Sequence, residues 1–325
     1  TGGEPVLRRD LPDLLYEARR VASRVTLATN GTLITPELAD VIAEARVRVQ
    51  VSLESPDESE HDLIRGQGSF KAARRGLELL AEAGVMDIEV VSTLLDPETF
   101  SPDRMISLAA QYGAAFHASL FQEVGRGGCG FRRPVEDPDS LARSMLRYLL
   151  RRAEEGSIPE NAPFAEVVGI MPRIGCGAGN YVAALSGAGD AYPCHLLMLP
   201  ELRADMSSLI DSPAEVRRQL KRDSRDSSQD YASKMCNRYL QLSPAWNLPG
   251  VDSIPSCEGC DVRYFCGGGC RAAAYAATGD VAGRDPSCAS YRALISSLLW
   301  AWDDRIPVVY NLYQACHRLG MNPSP

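Results

Sequence analysis

The sequence predicts an α/β protein: parallel strands alternating with helices as a sheet or barrel, followed by a smaller cysteine-rich segment. Three observations predict it. Short β-branched runs alternate with helical patterns as far as residue 156, the unusual residues gather where those strands end, and beyond that point cysteines, glycines and prolines replace the alternation up to Cys288.

The elements follow in order. "RVTLAT" (24–29) reads as a strand turned by "NGT", and Thr35 with Pro36 opens a helix as N-cap and first helical residue. "VRVQVSL" (47–53) is a second buried strand. Ser69 is the expected cap of "FKAARRGLELLAEAG", with Gly84 as its stop. "DIEVVSTLL" (87–95) is a third strand, a helix follows around "PDRMISLAAQYG", and "AAFHASLF" (114–121) is a fourth. Such alternation implies right-handed β-α-β units. The helix "SLARSMLRYLLRRAEEG" (140–156) closes the pattern, and a domain boundary is expected near 158–170. Functional residues in such folds sit where strands end and helices begin. Here those places hold "TGGEP", "TNGT", "SLESPDESEHDLIRG" and "EVGRGG", a cofactor-binding rim.

Composition narrows the function. The 325 residues are 45% hydrophobic, enough for a sizeable core, and carry a net charge of -8. An acidic balance argues against a nucleic-acid partner, which needs clustered Lys and Arg. The basic stretch "VRRQLKRDSRDSSQD" (216–230) is diluted by acids and serines and reads as a solvated helix ending in a loop. No apolar run reaches about 18 residues, so no membrane span is expected, and "ALISSLLWAW" (293–302) reads as a buried helix. Ten cysteines without a signal peptide point to a reducing, cytoplasmic setting in which thiols serve metals or catalysis rather than disulfides.

Seven of those cysteines form an ordered series: Cys176, Cys194, then Cys257, Cys260, Cys266 and Cys270 within "CEGCDVRYFCGGGC", and Cys288. Thiolates on tight turns can face one metal centre, and glycines let backbone amides approach the sulfurs. Zinc also takes four thiolates. Seven ligands exceed one four-coordinate site and fall one short of two, so an eighth group completes the second site or a position stays open. Cys129 and Cys236 are candidates for it. Cys316 reads as a buried apolar residue, as do His61, His117 and His317 as core or surface residues without ligand spacing.

The order Cys176, twelve residues, Gly189, four residues, Cys194, then C-x2-C-x5-C-x3-C and Cys288 resembles the SPASM domain of radical S-adenosylmethionine (SAM) enzymes. "TGGEPVLRRDLPDLL", "TNGTLIT" and "VSLESPDESEHDLIRG" resemble the second, third and fourth strand ends of the radical SAM barrel. The resemblance covers about residues 1–290 and rests on order and spacing together. It implies a partial (β/α)6 barrel over 1–160, a SPASM domain over 161–295 and a helical tail over 296–325.

By that resemblance, Gly2, Gly3 and Glu4 would hold the amino group of SAM, and Ser52 and Arg65 its ribose and carboxylate. Glu54 and Ser55 stand where the family has Asp-Gly. Cys257, Cys260, Cys266 and Cys288 would hold an outer auxiliary [4Fe-4S] cluster, and Cys176, Cys194 and Cys270 an inner one, left open or completed by Cys236 or Cys129. His195 occupies the place of a proton-accepting aspartate in sulfatase-maturing members and is the candidate catalytic base. Its other reading is a hydrogen bond to a sulfide or backbone carbonyl. Tyr264 and Phe265 would shield the cluster. The family's C-x3-C-x2-C loop, with a third cluster, is expected on a missing N-terminal segment, so the chain by itself is expected to be inactive. The implied function is maturation of a ribosomally made peptide or protein side chain by hydrogen abstraction, with a flavodoxin or ferredoxin as electron donor. A different class remains beside it: a non-catalytic zinc or iron-sulfur module for peptide recognition or electron transfer, on a degenerate barrel.

Overall fold

The computed structural model describes residues 3–97, 99–122, 124, 137–164, 167, 176–179, 182–205 and 244–323. Gly2, Cys129, Cys236 and the stretch 216–230 lie outside the described residues. The chain divides into two compact units, Thr1–Phe121 and Gln122–Pro325.

The first unit carries a four-stranded sheet, β1 (Thr26–Thr29), β2 (Arg48–Ser52), β3 (Ile88–Leu94) and β4 (Ala115–Leu120), in the order β1-β2-β3-β4. Every pairing is parallel. Strands joined in sequence order, each by a helical crossover, are the growth pattern of a β/α barrel, with no reversal of strand order. The helices are α1 (Leu11–Val21), α2 (Pro36–Glu44), α3 (Glu58–Arg65), α4 (Ser69–Glu82) and α5 (Pro102–Ala110). Val49, Val51, Leu53 and Val90 are fully buried, as both faces of a covered parallel sheet require. Because the strands are parallel and in register, Thr29, Ser52, Leu94 and Leu120 all finish on one edge.

Local signals explain most element ends. Thr35 accepts the Leu38 N–H and caps α2 as expected. Ser69 does not cap α4. It is the first helical residue, and the amides of Gly68 and Phe70 go to the carboxylate of Asp62, which also accepts from the Ser69 hydroxyl. An ionised acceptor at a helix start outcompetes a hydroxyl, and these amides hold the Asp62 carboxyl below its usual range. Gly76 of α4 meets the "NGT" turn so closely that a Cβ there would lie 2.2 Å from the Gly31 carbonyl oxygen.

In the second unit, α6 (Pro138–Glu154) packs against two later helices, α9 (Cys288–Leu299) and α10 (Val308–Arg318). Thus α6 groups by packing with the residues after it, whereas the sequence reading sets it with the strands before it. Leu146, Leu294, Leu298 and Leu312 are buried among these helices, in keeping with the buried helix read from 293–302. A small antiparallel sheet, β5 (Ala184–Leu185), β6 (Asp190–Tyr192) and β7 (Ala204–Asp205), stands beside fully buried Trp246, whose indole N–H donates to the Leu202 carbonyl at 2.7 Å. Two short helices, α7 (Arg263–Cys266) and α8 (Arg271–Thr278), flank the run Gly267–Gly269. All three of those glycines have positive φ, at 68°, 86° and 75°. Side chains other than glycine rarely adopt that conformation even once, so "CGGGC" is a left-handed turn that the sequence could write in no other way.

Candidate functional site

The C-terminal edge of the first sheet holds the residues singled out in the sequence. Glu4 lies over the end of β1, where its carboxylate accepts from the Asn30 N–H at 2.8 Å, from the Thr29 hydroxyl and from the Val6 N–H at 3.3 Å. A carboxylate has about four acceptor positions. Three are used, which fixes the group and leaves room for one further donor. Beside it, nothing lies within 4 Å of where a Cβ on Gly3 would stand, so the backbone there is open to close approach.

Arg65 ends α3, and its Nε donates to Glu54 Oε1 at 2.8 Å. Glu54 is buried, its other oxygen accepts the Thr93 N–H at 2.8 Å, and its carbonyl accepts from Ser92. Glu54 therefore ties Arg65 to the ends of β2 and β3. Its identity, a departure from the family's Asp-Gly, has this positioning role. Arg65 also lines an open pocket of about 390 Å³ with Asn30, Thr32, His61, Gln67 and Ser69. Ser52 sits half-buried at the end of β2, in register with Val91, and does not line that pocket. Of the residues predicted to hold SAM, then, Glu4 and Arg65 are held by defined partners, and among the described ones only Arg65 faces the cavity. Asn30 and Thr32 belong to the "TNGT" stretch already marked. His61 lies in the marked stretch "SLESPDESEHDLIRG" but was read as a core or surface residue, and Gln67, just past it, carried no signal, because their place depends on how α3 folds back.

The cysteines fall into two groups. Cys257, Cys260, Cys266 and Cys288 line one cleft together with Gly269 and Asp285. Cys176, Cys194 and Cys270 border a separate apolar cluster built on Leu197, Leu202 and Ala272. All eight described cysteines are free thiols. Burial pushes the thiols of Cys257 and Cys270 up and that of Cys266 to about 11, while the Gly268 and Gly269 amides pull Cys266 back. The left-handed glycine turn is what aims those amides at the sulfur. Among the described residues, no three His, Cys, Asp or Glu side chains are gathered tightly enough to hold a single metal ion.

Asp285 joins the two groups. It is buried, Oδ2 accepts the Cys270 N–H at 2.6 Å and Oδ1 the Ser287 N–H at 2.7 Å, while its carbonyl accepts the Cys288 N–H. A Cβ on Gly269 would stand 2.5 Å from its Oδ2. His195 is exposed, with Nδ1 3.7 Å from Cys194 Sγ, and partial desolvation lowers its pKa. Phe265 packs edge-on to Phe164 at 6.0 Å. Tyr264 faces away, 46% exposed, with its hydroxyl on Asp252, so it does not cover the cleft.

Comparison with known proteins agrees with this layout. The family model described as the radical SAM superfamily matches residues 1–109. The mycofactocin maturase MftC of Mycolicibacterium smegmatis is 26% identical over 292 residues, covering 88% of this chain and 69% of that protein. The AdoMet-dependent heme synthase of Nitratidesulfovibrio vulgaris is 27% identical over 320 residues, covering 90% and 78%. The PqqA peptide cyclase of Streptomyces rochei is 30% identical over 308 residues, covering 92% and 78%. The solved structure of native anSMEcpe with bound AdoMet shares the fold, with a TM-score of 0.58 and 17% identity over 98% of this chain and 84% of that one. A parallel β/α sheet with a polar rim at its carboxyl edge, followed in the chain by a cysteine-rich unit, is an α/β architecture of the partial-barrel class. The chain belongs to the radical SAM superfamily, as a SPASM-type member.

Proposed function

We propose that the chain is a maturase that modifies a ribosomally made peptide or a protein side chain by hydrogen abstraction, using two auxiliary [4Fe-4S] clusters. One observation carries the reading: the cysteines of a radical SAM enzyme divide into a four-thiol cleft and a three-thiol apolar cluster. Four thiolates suit one four-coordinate group, zinc or a polynuclear cluster alike, and the cluster reading is preferred here because the relatives are radical SAM proteins.

Cys257, Cys260, Cys266 and Cys288 would hold the outer cluster, and Cys176, Cys194 and Cys270 the inner one, whose fourth position is open or filled by Cys236 or Cys129. Gly2, Gly3, Glu4, Ser52 and Arg65 would hold SAM. The fit rests on the spare acceptor of Glu4, the uncovered backbone at Gly3 and the Arg65 guanidinium beside a cavity. A SAM-cleaving cluster, which none of the cysteines named here would hold, would with bound SAM supply a carbon radical able to take hydrogen from an unactivated carbon. The chain's own residues orient and exclude water: Glu54 sets Arg65, the glycine turn sets Cys266, and Phe265 covers with Phe164. His195, neutral at pH 7 because its pKa lies below the usual value, is the proposed base for the substrate proton. The domain limits 1–160, 161–295 and 296–325, a cytoplasmic setting and a flavodoxin or ferredoxin donor complete the proposal.

Anaerobically purified protein should contain iron and acid-labile sulfide. Joined to a C-x3-C-x2-C segment of the family's kind and given SAM, a low-potential reductant and a precursor peptide encoded beside it, the protein should change the mass of that peptide. His195→Ala should lower that turnover by about a hundredfold or more while SAM binding is kept. Zinc without sulfide would sink the cluster assignment. Clusters with SAM turnover on a non-peptide substrate, as the name of the heme synthase relative suggests for that protein, would replace the peptide assignment.

A further inference from the structure

Arg271 is buried, at 1% exposure, and no other Arg or Lys among the described residues is. Its guanidinium donates to the carbonyls of Val281 at 2.9 Å, Gly283 at 3.0 Å and Gly268, and its Nε has no partner. No carboxylate among the described residues lies within ion-pair distance of it. Arginine cannot shed its proton in a protein, so the charge stays. Three carbonyl dipoles stabilise a buried charge only in part, and an anionic group nearby stabilises it further. Something anionic is expected nearby.

The four-cysteine cleft, whose lining includes Arg263 and Arg292 but not Arg271 itself, lies next to it. Gly268 both lines the cleft and accepts from Arg271, with the guanidinium carbon 3.9 Å from where a Gly268 Cβ would stand. Asp285 supplies an opposing charge at the same cleft, and its two oxygens are engaged by the Cys270 and Ser287 amides.

We propose that Arg271 is a positioning residue whose fixed charge raises the reduction potential of the cluster held by Cys257, Cys260, Cys266 and Cys288. The inference rests on the reading that those cysteines hold a cluster. A cluster with four thiolates is anionic, and one-electron reduction by an external low-potential donor adds one more negative charge. A fixed cation at its side favours that reduced form.

The test is an EPR-monitored redox titration of the anaerobically reconstituted protein, using dithionite as reductant and assigning the outer couple by its loss in Cys260→Ala. Arg271→Gln and Arg271→Met should each make reduction at least tenfold less favourable, about 59 mV more negative for one electron. Arg271→Lys, which keeps the charge and loses the fork geometry, should stay near the wild-type value. An unmoved potential in the neutral variants overturns the proposal, as does a fall in Arg271→Lys as large as theirs. If neither neutral variant keeps its cluster but Arg271→Lys does, the charge requirement stands. Loss in all three makes Arg271 a packing residue and overturns it. Zinc in place of iron and sulfide in the wild-type protein sinks the cluster reading instead, and is told apart by metal analysis before any titration.

Discussion

A histidine that accepts a backbone hydrogen bond cannot carry a proton on the accepting nitrogen. His61 is 1% exposed and takes the Glu54 N–H on Nδ1 at 3.0 Å, and burial lowers its pKa. Glu54 in turn positions Arg65, so a proton on His61 would loosen the residue that faces the cavity. The folded state prefers neutral His61, so between its lowered pKa and the unfolded value near 6.5 the unfolded chain binds more protons. That contribution to stability is complete above about pH 6.5 and is lost as pH falls through the folded pKa. Denaturant unfolding from pH 7.5 to 5 should show it, and His61→Asn should flatten the slope. A slope unchanged in that variant would assign the effect elsewhere. None of this was legible at position 61, where the sequence showed only a histidine without ligand spacing.

At the scale of the element, strands β1 to β4 and helices α2, α4, α5 and α6 were legible, because β-branched runs and helical periodicity are local properties. The cap of α4 was not. Ser69 is the expected residue type, yet Asp62, seven positions earlier, takes the amides because α3 turns back onto the start of α4. Gly76 was equally silent: it reads as a weak helix former and is in fact the place where α4 touches the turn after β1. Gly76→Ala gains about 1 kcal/mol of helix propensity. Its Cβ would meet a backbone carbonyl, which cannot rotate away, and such overpacking costs about 1–3 kcal/mol or more. The clash should win, lowering the melting temperature and displacing the "TNGT" turn. A variant as stable as the parent would show that α4 can slide.

For the whole molecule, the family resemblance rested on the order and spacing of the cysteines and of the strand-end motifs, and the division of the thiols between two sites was what that resemblance implied. Arg271, Asp285 and Glu54 were not legible. Their roles come from distant residues meeting in space, and an Arg after a Cys or an Asp before a Pro carries no such signal. Burial keeps the thiols of Cys257, Cys266 and Cys270 protonated in the metal-free protein. Assembly of the proposed cluster on these thiols would therefore release protons, and binding to the folded unit would also stabilise it. Assembly followed in weak buffer should acidify the solution and raise the unfolding midpoint of the unit Gln122–Pro325. No proton release would contradict thiolate ligation by these residues.

The hydrogen bonds of Asp285 have an evolutionary consequence. One carboxylate steadies the backbone under a cysteine of each group, at Cys270 directly and at Cys288 through the turn that starts α9. Drift at position 285 strikes both thiol sets in one step. A change at this residue would therefore reach the backbone of both sets, not of one alone.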